Sequence, residues 1–173
     1  AAQIKAAGAH LVNHPVNLGQ GAALQTGVEY ARSQPGSRYF VTFDADGQHQ
    51  VKDVVEMLDR LRTGDLDIVV GTRFGRPRPT DDQVPLKRIV LKTVVFLSPK
   101  TRRLGLTDAH NGLRTFNRKV ADELNIRMNG MSHASEFVTQ MDERGWRVAE
   151  QSVDILYTEY SMSKGQSLIN GVN

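Results

Sequence analysis

Apolar positions along the chain change period repeatedly, and the changes mark its elements. Leu24, Val28 and Ala31 recur at helical spacing and predict a helix over 21–32. The apolar run at 39–43 predicts a buried strand, and Val54, Val55, Leu58 and Leu61 give a stripe on a helix over 51–62. "DIVVG" at 67–71 predicts a second buried strand. A Pro-rich polar loop over 73–85 and an apolar helix over 86–97 follow. Residues 113–116 read as a strand and 135–144 as a helix stopped by Gly145. Residues 146–148 and 153–157 read as two closing strands. Before the first helix, residues 1–7 look like the end of a helix stopped at Gly8, and 11–13 like a short strand. Strands alternating with helices predict an α/β fold built on a sheet flanked by helices.

A pair of acidic residues then changes the picture. "FDADGQHQ" puts Asp44 and Asp46 one residue apart where a buried strand runs out. Residues i and i+2 of a strand point the same way, so two carboxylates there can converge on one hard cation. Mg2+ or Mn2+ takes only a few protein oxygens and completes its shell with water or phosphate. Gln48 can add a neutral oxygen or a hydrogen bond to phosphate. In α/β sheets, ligands collect beyond the carboxyl ends of the strands, where this motif stands. An Asp-Gly turn leading into a helix is the plainer account.

Other segments add chemistry of the same kind. "NLGQGAALQTG" is a Gly-rich turn feeding a helix, whose backbone N–H groups suit an anion. Tight packing of its glycines is the alternative. Arg73 follows the second buried strand and can meet a phosphate. "DAHNGLRTFNR" supplies Asp108, His110, Arg114 and Arg118. Asp108 is a carboxylate that could serve as a base if it stands within hydrogen-bond reach of a substrate hydroxyl. Glu136 lies on a helix face.

The five segments "NLGQGAALQTG", "FVTFDADGQH", "VGTRF", "DAHNGLRTFNR" and "YSMSKGQS" occur in an order and spacing that resembles the family 2 glycosyltransferases of GT-A fold. Among these the polyprenyl-phosphate sugar transferases are the most similar. The resemblance covers nearly the whole chain and implies one catalytic domain over 1–173, with a Rossmann-like, mostly parallel sheet. It implies that the opening strand that grips the nucleotide base is missing before residue 1 and that 158–173 form a flexible C-terminal loop. The implied reaction is metal-dependent, inverting transfer of a sugar from a nucleotide-diphosphate donor, with a polyprenyl phosphate as one acceptor. Asp46 and Gln48 would attend the metal, and Asp44 the nucleotide sugar. Asn17, Gly21, Arg73, Arg114, Ser163 and Lys164 would contact substrate, and Asp108 would be base or acceptor-positioning group. Leu113 departs from the family's pattern, where an aromatic residue is expected. Two alternatives stay open, a nucleotidyltransferase of similar fold and a non-catalytic nucleotide-sugar-binding fragment. An aspartyl-nucleophile phosphatase fits poorly, since Gln48 stands where that pattern has Thr or Val.

Charge and composition bear on location. The chain has no cysteine, which excludes a disulfide framework and a thiolate metal site and fits a reducing, cytoplasmic setting. Its net charge of +3 favours anionic ligands without calling for nucleic acid. From Gln83 to Thr107 there is no acidic residue but six Lys or Arg. The helix over 86–97 is therefore a candidate for peripheral contact with anionic lipid headgroups at a membrane face.

Overall fold

The computed structural model describes residues 2–74 and 99–156. In chain order these residues form α1 (Ala2–Ala6), α2 (Gln20–Ser33), β1 (Tyr39–Thr42), α3 (Val51–Thr63) and β2 (Ile68–Thr72). Then come α4 (Pro99–Arg103), β3 (Arg114–Asn117), α5 (Arg118–Glu123), α6 (His133–Glu143) and β4 (Val148–Ser152). The strands form one sheet in the order β1-β3-β2-β4. β3 runs antiparallel to both of its neighbours and β4 parallel to β2. Three strands thus point one way with β3 reversed between two of them. The fold is α/β with a sheet flanked by helices, as the family resemblance implies; among the described strands two pairs are antiparallel and one parallel, where a mostly parallel sheet is expected.

Each strand alternates between two cores, as a pleated backbone requires. Phe40, Ile68, Val70 and Phe116 join residues from α2, α5 and α6, including Val28, Val120 and Phe137, on one face. Val69, Leu113 and Val153 meet Met57 and Leu61 of α3 on the other. Phe40 and Phe116 are paired across the strands and their rings stack at 5.8 Å. β2 is buried on both sides, which explains its unbroken apolar run.

Several expectations need correction. Residues 11–13 form no strand, and Leu11 and Val12 stay exposed. A segment this short holds extended pairing only beside a partner, and no described strand lies next to it. On α3 the inward row is Asp53, Met57 and Leu61, while Val55 is 54% exposed. The polar Asp53 earns its place by accepting the backbone N–H of Asp154 at 2.9 Å. The two closing strands are one strand lying between their expected positions. Parallel pairing of Ile68 through Thr72 with Val148 through Ser152 incorporates the polar stretch at 149–152. Trp146 leaves the strand to pack against Phe137, and its indole N–H reaches Glu123 at 2.6 Å. Two short helices, α4 and α5, have no sequence expectation. α5 is capped by Asn117, whose side-chain oxygen accepts the N–H of Val120 at 3.1 Å. The expected helix over 86–97, the loop over 75–85 and the tail over 158–173 lie outside the described residues. Among the described residues, no helix is long and apolar enough to cross a membrane.

Candidate functional site

The ends of β1 and β2 and the approach to β3 meet along one edge of the sheet. Because β3 is reversed, its N-terminal end lies beside the C-terminal ends of its neighbours, with Thr42 paired to Arg114. The Thr42 hydroxyl pins that corner. It donates to the Gly112 carbonyl at 2.6 Å and accepts the Arg114 N–H at 3.1 Å. Asp44, two residues beyond Thr42, therefore reaches across to Gly112. A Cβ at position 112 would collide with Asp44 Oδ2 and come within 3.2 Å of its Cγ.

Asp44 is about half-exposed, with His49 Nε2 3.5 Å from its Oδ2. The His49 contact holds its carboxyl below the usual range, with Arg114 and His133 adding positive potential against the opposing effect of burial. Asp46 Oδ1 accepts the Gln48 N–H at 3.0 Å, a local turn that orients its carboxylate. The Gln48 carbonyl accepts the Leu156 N–H at 2.9 Å, which ties this loop to the segment after β4. Among the described residues, no hydrogen bond engages Asp44 Oδ1 or Asp46 Oδ2. Carboxylate oxygens are donors of the kind that Mg2+ or Mn2+ takes, so Asp44 and Asp46 are the residues here that could attend such an ion. No group of three His, Asp or Glu converges here among the described residues, so such an ion would draw most of its shell from elsewhere.

Beside this corner lies a second pair of charges. Arg73, just past β2, forks onto Asp108, with Nε on Oδ2 and one terminal nitrogen on Oδ1, both at 2.7 Å. Asp108 Oδ2 also accepts the Arg73 backbone N–H and the Asn111 amide. Burial alone would raise the Asp108 carboxyl, but Arg73 outweighs it and the carboxyl sits low. Glu150 of β4 fixes the loop that carries Asp108. Its Oε1 accepts the N–H groups of Thr107 and Asp108, and its Oε2 the Thr107 hydroxyl. Arg114 is fully buried, and its guanidinium lies 4.8 Å from the centre of the Phe137 ring. Burial pushes Arg114 down to about 10, against the support of Asp44 and Asp108.

The structure therefore brings Asp44, Arg73, Asp108 and Arg114 to one edge, with Asp46 and Gln48 on the loop leaving it. Arg114 lies beneath that edge as a buried counter-charge. Asn17 is exposed and accepts the Gly19 N–H in a local turn. Gly21 is buried, and its N–H donates to the Asn129 carbonyl at 2.8 Å. A Cβ at Gly21 would collide with the Met128 carbonyl and lie 2.9 Å from His133 Cβ. Close packing thus accounts for Gly21. Gly21→Ala is expected to cost about 1–3 kcal/mol, read as a lowered midpoint in thermal or urea unfolding. Glu136 accepts the N–H groups of Arg127 and Met128, so its carboxylate closes a loop. Ser163 and Lys164 lie outside the described residues. Sequence reasoning passes over Gly112 and Glu150 and assigns His49 no role. The structure buries that ring, with only 5% of the side chain exposed.

Comparison with known proteins decides the family. The glycosyl transferase family 2 model matches residues 1–124. The chain belongs to glycosyl transferase family 2. This family 2 glycosyltransferase is 30% identical over 169 residues to an uncharacterized protein of Methanocaldococcus jannaschii, covering 96% of this chain and 69% of that protein. It is 28% identical over 162 residues to the UDP-N-acetylglucosamine–dolichyl-phosphate N-acetylglucosaminyltransferase of Methanococcus voltae, covering 92% and 64%. It is 27% identical over 168 residues to the polyprenol monophosphomannose synthase of Mycolicibacterium smegmatis, covering 95% and 61%. The chain thus spans roughly two thirds of the length of each. The family match runs through both aspartates, Arg73, Asp108 and Arg114.

Proposed function

We propose that this chain carries the reaction edge of a metal-dependent, inverting glycosyltransferase that moves a sugar from a nucleotide-diphosphate donor to a polyprenyl phosphate. The observation that supports it best is the meeting of Asp44, Arg73 and Asp108 at one sheet edge in a family 2 chain. Two of the relatives just described are named for transfer to dolichyl phosphate and for making a polyprenol monophosphosugar.

In this reading the acceptor oxygen attacks the anomeric carbon from the face opposite the diphosphate. The bond from that carbon to the diphosphate breaks, and the electron pair leaves with the nucleoside diphosphate. A divalent cation attended by Asp46 and Gln48 would offset the charge of that leaving group. Asp44 holds the donor on its nucleotide side. Arg73, held by its fork on Asp108, would bring its positive charge to the phosphate oxygens. Asp108 is engaged by Arg73 and Asn111, which leaves it poorly placed to take a proton. A phosphate acceptor is already ionised and needs no base, so Asp108 serves here to position Arg73. A hydroxyl acceptor would need Arg73 to release it. The basic segment at 86–97, outside the described residues, would lie against the lipid headgroups in this reading.

The test is transfer from a panel of UDP-, GDP- and dTDP-sugars to a short polyprenyl phosphate in the presence of Mn2+. Product is expected with one donor class, is lost with EDTA and returns with added metal. Transfer that continues unchanged in EDTA would overturn the metal-dependent reading. Transfer to free alcohols but not to phosphates would restore Asp108 as the base.

A further inference from the structure

His49 stands in "FDADGQH" two residues beyond the Asp46–Gly47 turn, yet its side chain is only 5% exposed. Two observations say what the ring is doing. Nε2 faces Asp44 Oδ2 at 3.5 Å, while the other ring nitrogen, Nδ1, is buried without a hydrogen-bond partner. A buried N–H with no acceptor is costly, so the ring proton belongs on Nε2, the side that faces the carboxylate. The ring is held in that pose by the edge-on Phe43, whose centroid is 5.6 Å away.

Gly112 approaches the same Asp44 oxygen. Its missing side chain leaves the space that Asp44 Oδ2 fills, since any Cβ there would collide with that oxygen. Oδ2 therefore meets both an imidazole and a glycine. Oδ1 has no such contact among the described residues. Arg114 and His133 add positive potential at Asp44. Asp44 is thus a carboxylate with one anchored oxygen and one presented oxygen.

We infer that His49 is a positioning residue for the donor: with Gly112 it locks Asp44 in the rotamer that offers a single oxygen, Oδ1, to the nucleotide sugar. The inference rests on the glycosyltransferase reading above and deepens it. An unlocked Asp44 would swing between rotamers, and the donor would have to order it on binding. That penalty falls on ground state and transition state alike, so it appears in KM and leaves kcat largely in place.

The experiment uses the intact protein and whichever donor of the panel is transferred, with its nucleoside diphosphate and Mn2+ as a binding probe. His49→Leu is expected to raise the donor KM and the Kd of the nucleoside diphosphate about tenfold, with kcat within about threefold. His49→Gln, whose amide can donate to Oδ2 from a similar reach, is expected to recover most of that loss. Gly112→Ala should show the His49→Leu pattern by displacing Asp44. A folded His49→Leu with unchanged KM and Kd overturns the inference, as does a His49→Gln no better than His49→Leu. If His49→Leu does not fold, His49→Gln and Gly112→Ala decide by the same two constants. Asp46→Ala separates the two levels. Full turnover in that variant sinks the functional reading, whereas its inactivity beside an unaffected His49→Leu sinks only the role of His49. A panel in which no donor is transferred or bound overturns both.

Discussion

Asp46→Ala is expected to lower sugar transfer about a thousandfold while the protein still folds. The size of the loss follows from what the carboxylate would do. Charge grows on the diphosphate as its bond to the sugar breaks, and removing one preorganised electrostatic partner of such charge costs about a hundred- to a thousandfold. The small effect on stability follows from the few contacts Asp46 makes. Its one hydrogen bond among the described residues is the local turn from Gln48 N–H to Oδ1. Losing a side-chain cap of this kind costs about 1 kcal/mol, or a fall of about 2–4 °C in melting temperature at this chain length. Asp46→Asn keeps the turn oxygen and removes only the charge, so its melting temperature should not change while transfer is lost almost as fully. A folded Asp46→Ala with normal turnover in Mn2+ would remove Asp46 from the reaction, and the metal assignment with it.

The two aspartates are legible in the sequence because their geometry is local. A buried strand, a two-residue spacing and a following glycine are adjacent in the chain, and the structure sets both aspartates just past β1, with Asp46 in the turn that follows. Arg73 is legible for a related reason, since β2 announces itself as an apolar run and its end fixes where the next residues open. What surrounds these groups is not legible. Gly112 touches Asp44 only because β3 runs backwards between β1 and β2, and nothing near 112 states that reversal. Glu150 reaches Thr107 and Asp108 across more than forty residues from a polar stretch that lacks a strand's alternation. Asp108 looks like a free base in sequence. Only the sheet shows that Arg73 already occupies it.

The fold divides in the same way. α2, α3, β1 and β2 form within a residue or two of expectation because one apolar face or run dictates each. β4 departs because ladder pairing with β2 is enough to make "VAEQS" extended despite its polarity. The stripe on α3 is misread for a different reason. Asp53 points inward to accept the Asp154 N–H, and a residue whose value lies in one long-range hydrogen bond carries no periodic signal.

Asp67→Ala is expected to destabilise the fold by about 3 kcal/mol, a fall of about 6–12 °C in melting temperature. Asp67 is only 1% exposed, one residue before β2. Its Oδ1 accepts the Asn117 amide at 3.0 Å and an Arg147 terminal nitrogen at 3.1 Å. Its Oδ2 accepts the Arg147 backbone N–H at 3.0 Å and Nε at 3.2 Å, with Lys119 Nζ at 3.5 Å. One carboxylate thus ties β2 to the end of β3, to α5 and to the entry of β4. Removing it leaves the Asn117 amide and the Arg147 N–H without their acceptor. Arg147 itself is half-exposed and can return to water, which keeps the loss at the lower end for a broken buried pair. Burial alone would raise the Asp67 carboxyl, yet the bonds from Arg147 and Asn117 carry it far below the usual range. The sign of the pH effect follows from that depression. Ionised Asp67 contributes fully above its unfolded pKa of about 4, and the contribution is lost as pH falls below that value toward the folded one. The stability gap between the wild type and Asp67→Ala should therefore be widest and flat above about pH 5 and narrow steadily below about pH 4. Urea unfolding of both proteins across that range measures it. A gap that stays constant as the pH is lowered would mean that the charge of Asp67 contributes nothing to stability.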